Sequence, residues 1–273
     1  MSTGSIVVRK SLGRQLKALR EQAGKTSADV AEAQISKAKL ARIEAGQVPV
    51  KTPDIRTLAW LYGADETTIQ QLVELAKNTA EKGWWEPFAS VMPSWFTTFV
   101  ELESAASRLL TYQSDLVPGL LQTIDFHRAV FAADPLQSAQ DTERTVQLRI
   151  ERQRAAFERP NPLGVTAVLS EAAITRQIGS KDVMAAQIRH LCELARRPNV
   201  DIYVLPFSAG GHAGLKGSFN VLGFTADDHP DVAYLEARAG GQHIWDQDQV
   251  QIYRDDFARI KDQSIPIEEH LKK

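Results

Sequence analysis

Apolar residues recur at three- and four-residue spacing along the first third of the chain, which is typical of short amphipathic helices. Glycines at 24, 46 and 63 follow three of these segments and are expected to end them. The predicted helices run from Ser11 to the stop at Gly24, from Thr26 or Ser27 past Ala31, from Ser36 to Ala45, over Ile55 to Leu61, and from Glu66 to Ala80.

The pattern changes after Gly83. Helical spacing continues over residues 101–110, 121–131 and 142–157, and the polar face of the last segment is expected to be solvated. After Pro160, strand-like segments at 165–169, 200–205, 217–224 and 232–236 alternate with helical ones at 181–195 and 250–261. We therefore predict an α+β protein: a five-helix module (residues 1–82), then residues 83–273 with a helical connector and a domain whose small, mainly antiparallel sheet is flanked by helices.

Charge divides the chain in the same way. Residues 1–60 hold eleven Lys or Arg and five Asp or Glu, a net charge of +6, whereas the rest of the chain carries −8. A basic head on an acidic body indicates that the head alone binds a polyanion such as nucleic acid.

Composition excludes several classes of protein. The single cysteine, Cys192, rules out an internal disulfide framework and a cysteine-rich zinc site, and we expect a cytoplasmic protein. No apolar run approaches the roughly 20 residues that span a bilayer. The six histidines lack metal-ligand spacing and Ser208 lies outside a nucleophile elbow, so no metal, cofactor or enzymatic activity is expected. Whether Glu171, Asp201 and Glu236 converge stays open.

The segment after Ser36 has the features of a DNA-recognition helix. Ile35 and Leu40 would anchor it in the core, and its first turn is basic and exposed, so it could enter a major groove. We predict base contacts from Lys37, Ala38 and Arg42, and phosphate contacts from Lys10, Lys17 and Lys39. The alternative is a basic helical bundle whose charges are merely solvated.

Thr26 and the run Arg42-Ile43-Glu44-Ala45-Gly46 resemble the Xre class of Cro and cI-type repressors. The resemblance implies base contacts at Lys37, Ala38 and Arg42, a phosphate contact at Ser27, and a structural pair between Arg20 and Glu44. Ser36, the helix cap, joins the residues expected at the DNA. The turn is one residue shorter than the family pattern, and Gln34 stands where a turn glycine is common.

Over nearly its whole length the chain is similar to actinobacterial WhiJ-like regulators. The matching stretches are Gly83–Trp85, Leu116–Thr123, Arg149–Gln153, Arg197–Val200 and Leu205–Phe219. The resemblance implies an antitoxin-like regulator that a small, adjacently encoded partner protein antagonises. We expect a homodimer on an operator in double-stranded DNA, because one short helix makes few base contacts.

Two features of the second domain have alternative interpretations. The segment with Gly210, Gly211, His212, Lys216 and Ser218 could hold an anion or a small effector in a nest of backbone N–H groups, or it could be a surface loop. The aromatic cluster could form a ligand cage, but core packing is the expected role. Its members are Trp84, Trp85, Phe88, Trp95, Phe96 and Phe99.

Overall fold

Helices build the first of two units, Met1–Glu86. The computed structural model describes residues 5–30, 34–77, 83–133, 139–225, 230–237 and 240–272. In this unit α1 spans Ser5–Gln22, α2 Lys37–Glu44, α3 Thr52–Leu61 and α4 Glu66–Lys77, and a 3-10 helix follows at Glu86–Val91. The predicted start of α1 at Ser11 was wrong by six residues, because buried Val8 continues the stripe of Leu12 one turn earlier.

The predicted second helix lies partly outside the described residues, which exclude 31–33 and hence Ala31. Its start is described: the backbone N–H and hydroxyl of Thr26 donate to Asp29 Oδ2 at 2.6 and 2.8 Å. Gln34 in the following turn has φ +55°, the left-handed conformation that usually favours glycine. Gln34 therefore holds, with a side chain, a backbone conformation that glycine adopts more readily.

Close backbone contact joins α1 to the carboxyl end of α2. A Cβ on Gly13 would lie 2.5 Å from the carbonyl oxygens of Ile43 and Glu44, and one on Gly46 would lie 2.7 Å from Lys10 Cα. Gly46 also has φ +66°, which ends α2. These two glycines hold α2 against α1, and apolar side chains from all four helices enclose one core.

Unit two, Pro87–Lys273, packs helices around a sheet. Its helices are α5 Ser94–Ala105, α6 Ile124–Ala132, α7 Ala139–Phe157, α8 Glu171–Thr175, α9 Lys181–Ala195, α10 Gln247–Asp262 and α11 Ile267–His270. The strands are β1 Arg108–Gln113, β2 Gly164–Ser170, β3 Val200–Leu205, β4 Phe219–Gly223, β5 Val232–Ala237, β6 Gly240–Ile244 and β7 Ile265–Pro266.

The strands form a mixed sheet in the order β6-β5-β4-β1-β2-β3-β7. β2 pairs parallel with β1 and β3, and the other four pairings are antiparallel. The α+β class and the mainly antiparallel sheet are thus confirmed. The prediction of a helix over residues 101–110 was wrong for its second half. The backbone becomes extended at Ala106, and the following residues form β1 of the sheet.

Alternation along the strands gives the sheet two different faces. Tyr112, Phe219 and Ala233 point to an apolar core that includes Phe257 of α10. Their neighbours on the opposite face, including Asn220 and Tyr234, line a cavity described below. Among the described residues, no helix combines the length and the apolar character needed to cross a membrane.

Candidate nucleic-acid interface and C-terminal cavity

The helix α2 has one buried and one exposed face. Leu40 and Ile43 are each 1% exposed and belong to the core of the first unit. Lys37, Ala38 and Arg42, the predicted base-reading residues, are all exposed. The helix is therefore anchored by its apolar stripe while its cationic side faces solvent, which is the arrangement that groove reading requires.

The predicted phosphate-contacting lysines have different surroundings. Lys39 Nζ lies 2.8 Å from Asp54 Oδ2 at the start of α3, and Lys17 lies 3.8 Å from Glu21. Lys10 is half-buried, and burial together with Arg14 lowers its pKa. The acidic partner Asp54 was missed in the sequence, because it lies 15 residues from Lys39.

Both predicted serines are exposed. Ser27 lies beside the Thr26–Asp29 turn, where the Thr26 hydrogen bonds lower the pKa of Asp29. Ser36 caps α2, since its Oγ accepts from Lys39 N at 3.1 Å. That bond uses one acceptor site of the hydroxyl and leaves its O–H free to donate.

Arg20 and Glu44, the expected structural pair, are in direct contact. Arg20 Nε donates to Glu44 Oε1 at 2.7 Å and Nη2 to Oε2 at 3.0 Å, while Nη1 donates to the carbonyl oxygen of Lys25 at 2.9 Å. The hydrogen bond that Arg20 donates to Glu44 is the main reason that the pKa of Arg20 is raised. The pair joins α1, the following turn and the end of α2, so it fixes the direction of α2.

The glycine-rich segment lies beside a hollow of about 530 Å³. Gly210, His212 and Lys216 line it, whereas Gly211 is exposed on the loop and Ser218 lines the larger cavity instead. Ser218 Oγ accepts from the backbone N–H of Ser114 at 2.9 Å. Of the five residues, three therefore line this hollow, one lines the larger cavity, and Gly211 lines neither.

Several backbone N–H groups of this segment donate to acceptors within the segment or just before it. Gly210 N donates to Phe207 O, Gly214 N to His212 Nδ1, and Gly217 N to Gly214 O. Gly214 also leaves room for the Tyr112 ring, which a Cβ would approach to 2.4 Å. These bonds favour the interpretation as a structured surface loop.

The larger cavity, of about 970 Å³, lies entirely within the second unit. Its floor is the face of β1, β4 and β5 opposite α10, and its walls come from α5, α6, α7 and the segment 114–122. Trp95 and Phe96 are half-buried in the wall, while Phe99 is buried and stacks on Tyr234 with ring centroids 4.4 Å apart. Core packing therefore describes Phe99, whereas Trp95 and Phe96 face the cavity.

An ion pair is enclosed beside this cavity. Arg152 donates from Nε and Nη2 to the two oxygens of Glu103, at 2.9 and 2.7 Å, and the side chains are only 6% and 4% exposed. The Arg152 guanidinium also lies 5.0 Å from the Phe96 ring centroid. The expectation that the polar face of α7 is solvated was wrong here, because Arg152 points into the unit.

The residues considered for catalysis are not brought together as a site. Glu171 follows β2 and accepts from Phe207 N at 2.7 Å, and Asp201 is exposed on β3. Glu236 lies on β5, which β4 and β1 separate from β2. Burial raises the pKa of the Cys192 thiol. Within the described residues, no three histidine, cysteine or acidic side chains form a set of metal ligands.

The first unit is a helix-turn-helix domain, the class of fold found in DNA-binding regulators: residues 11–72 match the family described as "Helix-turn-helix domain". Residues 96–272 match the family described as "Domain of unknown function (DUF5753)". Since this match covers more than half of the chain, the protein belongs to the DUF5753 family. Searches of curated proteins and of solved structures found no match.

Proposed function

We propose that this protein is a sequence-specific transcriptional regulator of the Xre, Cro/cI-type class. One observation carries the proposal: Lys37, Ala38 and Arg42 share the exposed side of α2, whose other side is fixed in the core. Arg42 has the fork of donors that reads guanine, and the lysine supplies charge. Ser36 caps this helix, and Lys10 lies against Gly46 at its end. These two residues, with Lys17 and Ser27, would contact phosphate. The Lys39–Asp54 pair makes Lys39 a weaker phosphate ligand than Lys37.

The wider biological role is part of the same proposal. The protein would act in the cytoplasm without catalysis, as a homodimer on two half-sites, and its second unit would mediate dimerisation and respond to a partner protein or effector. Similarity to WhiJ-like regulators supports a small partner encoded nearby. The +6 charge of residues 1–60 supports DNA as the ligand of the first unit alone.

Substitution of Arg42 by Ala tests the proposal. Preferred sites are first selected from a pool of random DNA duplexes, and affinity is then measured by gel-shift titration. Arg42→Ala should weaken specific binding by about 1–3 kcal/mol and relax preference at one base position, with an unchanged circular dichroism spectrum. Arg56→Ala on α3 is the matched control, because Arg56 is exposed and lies outside α2. Equal affinity of Arg42→Ala and wild type would remove Arg42 from the interface.

A second candidate function, an antitoxin-like interaction module, has one observation in its favour. Phe207 and Leu215, on either side of the glycine-rich turn, are 64% and 72% exposed. Large exposed apolar side chains often mark protein contacts. If this function is correct, Leu215→Asp should abolish co-purification of the adjacently encoded protein while DNA binding is retained. A sensor role for the glycine-rich loop would instead require a ligand that Lys216→Ala no longer binds.

A further inference from the structure

Arg149 of α7 is a cation enclosed beside the cavity, and it forms no ion pair with any residue that the structure describes. Its Nη2 lies 3.0 Å from His127 Nδ1, while Nε and Nη1 make no hydrogen bond with a described residue. Arg149 lines the cavity of the second unit, and no described carboxylate lies within ion-pair distance, 4.0 Å. Buried charges in folded proteins are normally paired, so this arrangement calls for a further partner.

The contact with His127 leaves the positive charge in place. Burial and the arginines around the imidazole lower the pKa of His127 to about 3, so the ring is neutral at neutral pH. Its Nδ1 accepts from Arg149, and Nε2–H can then donate to Thr145 Oγ1 at 3.1 Å, whose hydroxyl donates to Thr142 O at 2.7 Å. Burial and Arg152 lower the pKa of Arg149 to about 9, which still leaves the guanidinium protonated.

Arg152, one helical turn further along α7, provides an internal comparison. Both nitrogens that face Glu103 are bonded, so its charge is satisfied within the protein. Arg149 has the same side chain and lies on the same helix and cavity, but its one hydrogen-bond partner among the described residues is the neutral His127. Glu103 and Glu236 act on its charge only from beyond ion-pair distance. The difference indicates that the guanidinium of Arg149 pairs with an anionic group of a bound molecule.

Gly119 holds the guanidinium of Arg149 at the cavity wall. A Cβ at this position would lie 1.7 Å from Arg149 Nη1, so only glycine leaves room for the observed side-chain position. The surrounding segment is held by buried amides: Gln187 Nε2 donates to Leu121 O at 2.7 Å, and Gln153 Nε2 to Gln122 O at 2.8 Å. The cation is therefore presented by a preformed wall, which reduces the entropy that binding would cost.

Aromatic rings and further hydrogen-bonding groups complete the cavity. Trp95 and Phe96 offer apolar surface, and Glu236 offers a carboxylate that accepts from Tyr234 Oη at 3.4 Å. The volume of about 970 Å³ is in the upper part of the range of small-molecule sites. The lining is about half apolar and half polar or charged, and its carboxylates besides Glu236 are Glu103, Asp115 and Asp141. Its one cation that makes no ion pair with a described residue is Arg149, which is where an acidic group could bind.

We propose that this cavity binds a small organic anion, whose acidic group pairs with Arg149 and whose apolar body lies against Trp95 and Phe96. Glu236 would accept a hydrogen bond from a hydroxyl or amino group of the same molecule. The site is separate from the hollow at the glycine-rich loop, and its existence does not depend on the proposed DNA binding.

A pair of fluorescent probes with the same rings tests this proposal on the full-length protein. 8-Anilinonaphthalene-1-sulfonate carries an anionic group, and N-phenyl-1-naphthylamine lacks it. In fluorescence titrations the wild type should bind the sulfonate at one saturable site, about tenfold or more tighter than the neutral probe, since a charge-assisted hydrogen bond in an enclosed site has this magnitude. Equal affinity for the two probes would overturn the proposal.

Two variants locate the anion at Arg149. Arg149→Met should weaken binding of the sulfonate about tenfold or more and change binding of the neutral probe by less than about twofold. Gly119→Ala should also weaken binding of the sulfonate, because the added methyl group displaces the guanidinium of Arg149. Arg154→Met is the matched control, since Arg154 lies on α7 but is 57% exposed, and it should bind both probes as the wild type does.

Near-ultraviolet circular dichroism is recorded for each variant to check its tertiary structure. If Arg149→Met loses the native spectrum, Gly119→Ala decides, because its clash involves only the end of a flexible side chain. If Arg149→Met folds natively and binds the sulfonate as tightly as the wild type, Arg149 does not hold the anion. If Arg149→Met is misfolded, the same result for Gly119→Ala leads to the same conclusion.

Discussion

Two helices of this protein carry cations in opposite environments. On α2, Lys37 and Arg42 are exposed, whereas on α7 Arg152 is buried and Arg149 lines a cavity. Exposed charges attract a polyanion over about a Debye length, roughly 8 Å at physiological salt, and that attraction weakens as salt rises. Enclosed charges act only at contact distance and are screened much less. The first arrangement suits a long charged polymer, and the second suits one small anion.

Burial should also decide how much each ion pair contributes to stability. Three pairs form a graded series: Arg152–Glu103 is 6% and 4% exposed, Arg20–Glu44 is 12% and 11%, and Lys39–Asp54 is 48% and 22%. Removing one partner leaves the other charge unsatisfied, and that penalty grows as water is excluded. Substitutions along the series therefore test the comparison.

The largest effect is expected for Arg152→Met, which leaves the Glu103 carboxylate buried without its partner. The free energy of unfolding of the second unit should fall by about 3–5 kcal/mol in urea titrations followed by circular dichroism. The double variant Arg152→Met with Glu103→Leu should recover most of the loss, because no charge is then left buried. A loss below about 1 kcal/mol in the single variant would show that water reaches Glu103.

Arg20→Met should have an intermediate effect. Glu44 loses two hydrogen bonds and Lys25 O loses one, so the first unit should be destabilised by about 1.5–3 kcal/mol. The measurement is again urea unfolding, with Arg14→Met on the exposed side of α1 as the control. Affinity for selected DNA should fall as well, since the end of α2 is no longer held. Unchanged stability would mean that the core alone positions α2.

Prediction from sequence worked where burial and charge are segregated along a helix. In α2 the buried positions are Leu and Ile and the exposed ones are basic, so the pattern shows both faces of the helix. The Arg20–Glu44 pair depended on family resemblance, because no spacing rule brings together residues 24 positions apart. The sheet was recognised from its strand segments, but β1 was missed because it directly follows a helix and shares apolar residues with the helical pattern.

The cavity of the second unit could not be predicted, because on α7 charged residues occupy buried positions. The inward face of α7 includes Thr145, Arg149 and Arg152, at the i, i+4, i+7 spacing usual for apolar residues. A polar stripe with this spacing is indistinguishable from a solvated face when only hydrophobicity is considered. Glu103, which lies 49 positions away, was needed to show that Arg152 is buried.

The pH dependence of the free energy of unfolding reports on His127, the enclosed hydrogen-bond partner of Arg149. In the unfolded chain His127 has an ordinary pKa near 6.5, and in the folded protein its pKa is about 3. Because the folded state resists protonation, stability is fully present above about pH 6.5 and is lost as pH falls towards 3.

Between pH 7 and pH 5 this residue should lower the free energy of unfolding by about 1–2 kcal/mol. His127→Gln should reduce that decline, and the difference between the two profiles removes the contribution of His190, whose pKa burial also lowers. Parallel profiles of wild type and variant would show that His127 has the same pKa in the folded and the unfolded protein, and the enclosed, neutral imidazole inferred beside Arg149 would then be wrong.

The smallest effect is expected at the exposed end of the series. Lys39→Ala and Asp54→Ala should each change the free energy of unfolding by less than about 1 kcal/mol, because the pair lies at the surface, where both ions stay hydrated. The two substitutions should change the affinity for DNA in opposite directions. Lys39→Ala removes a cation of α2 and should weaken DNA binding. Asp54→Ala removes an anion that competes with phosphate for Lys39 and should strengthen DNA binding, with a steeper dependence on salt. Gel-shift titrations at several salt concentrations measure both changes. If Asp54→Ala weakens binding instead, the ion pair positions Lys39 at the phosphate.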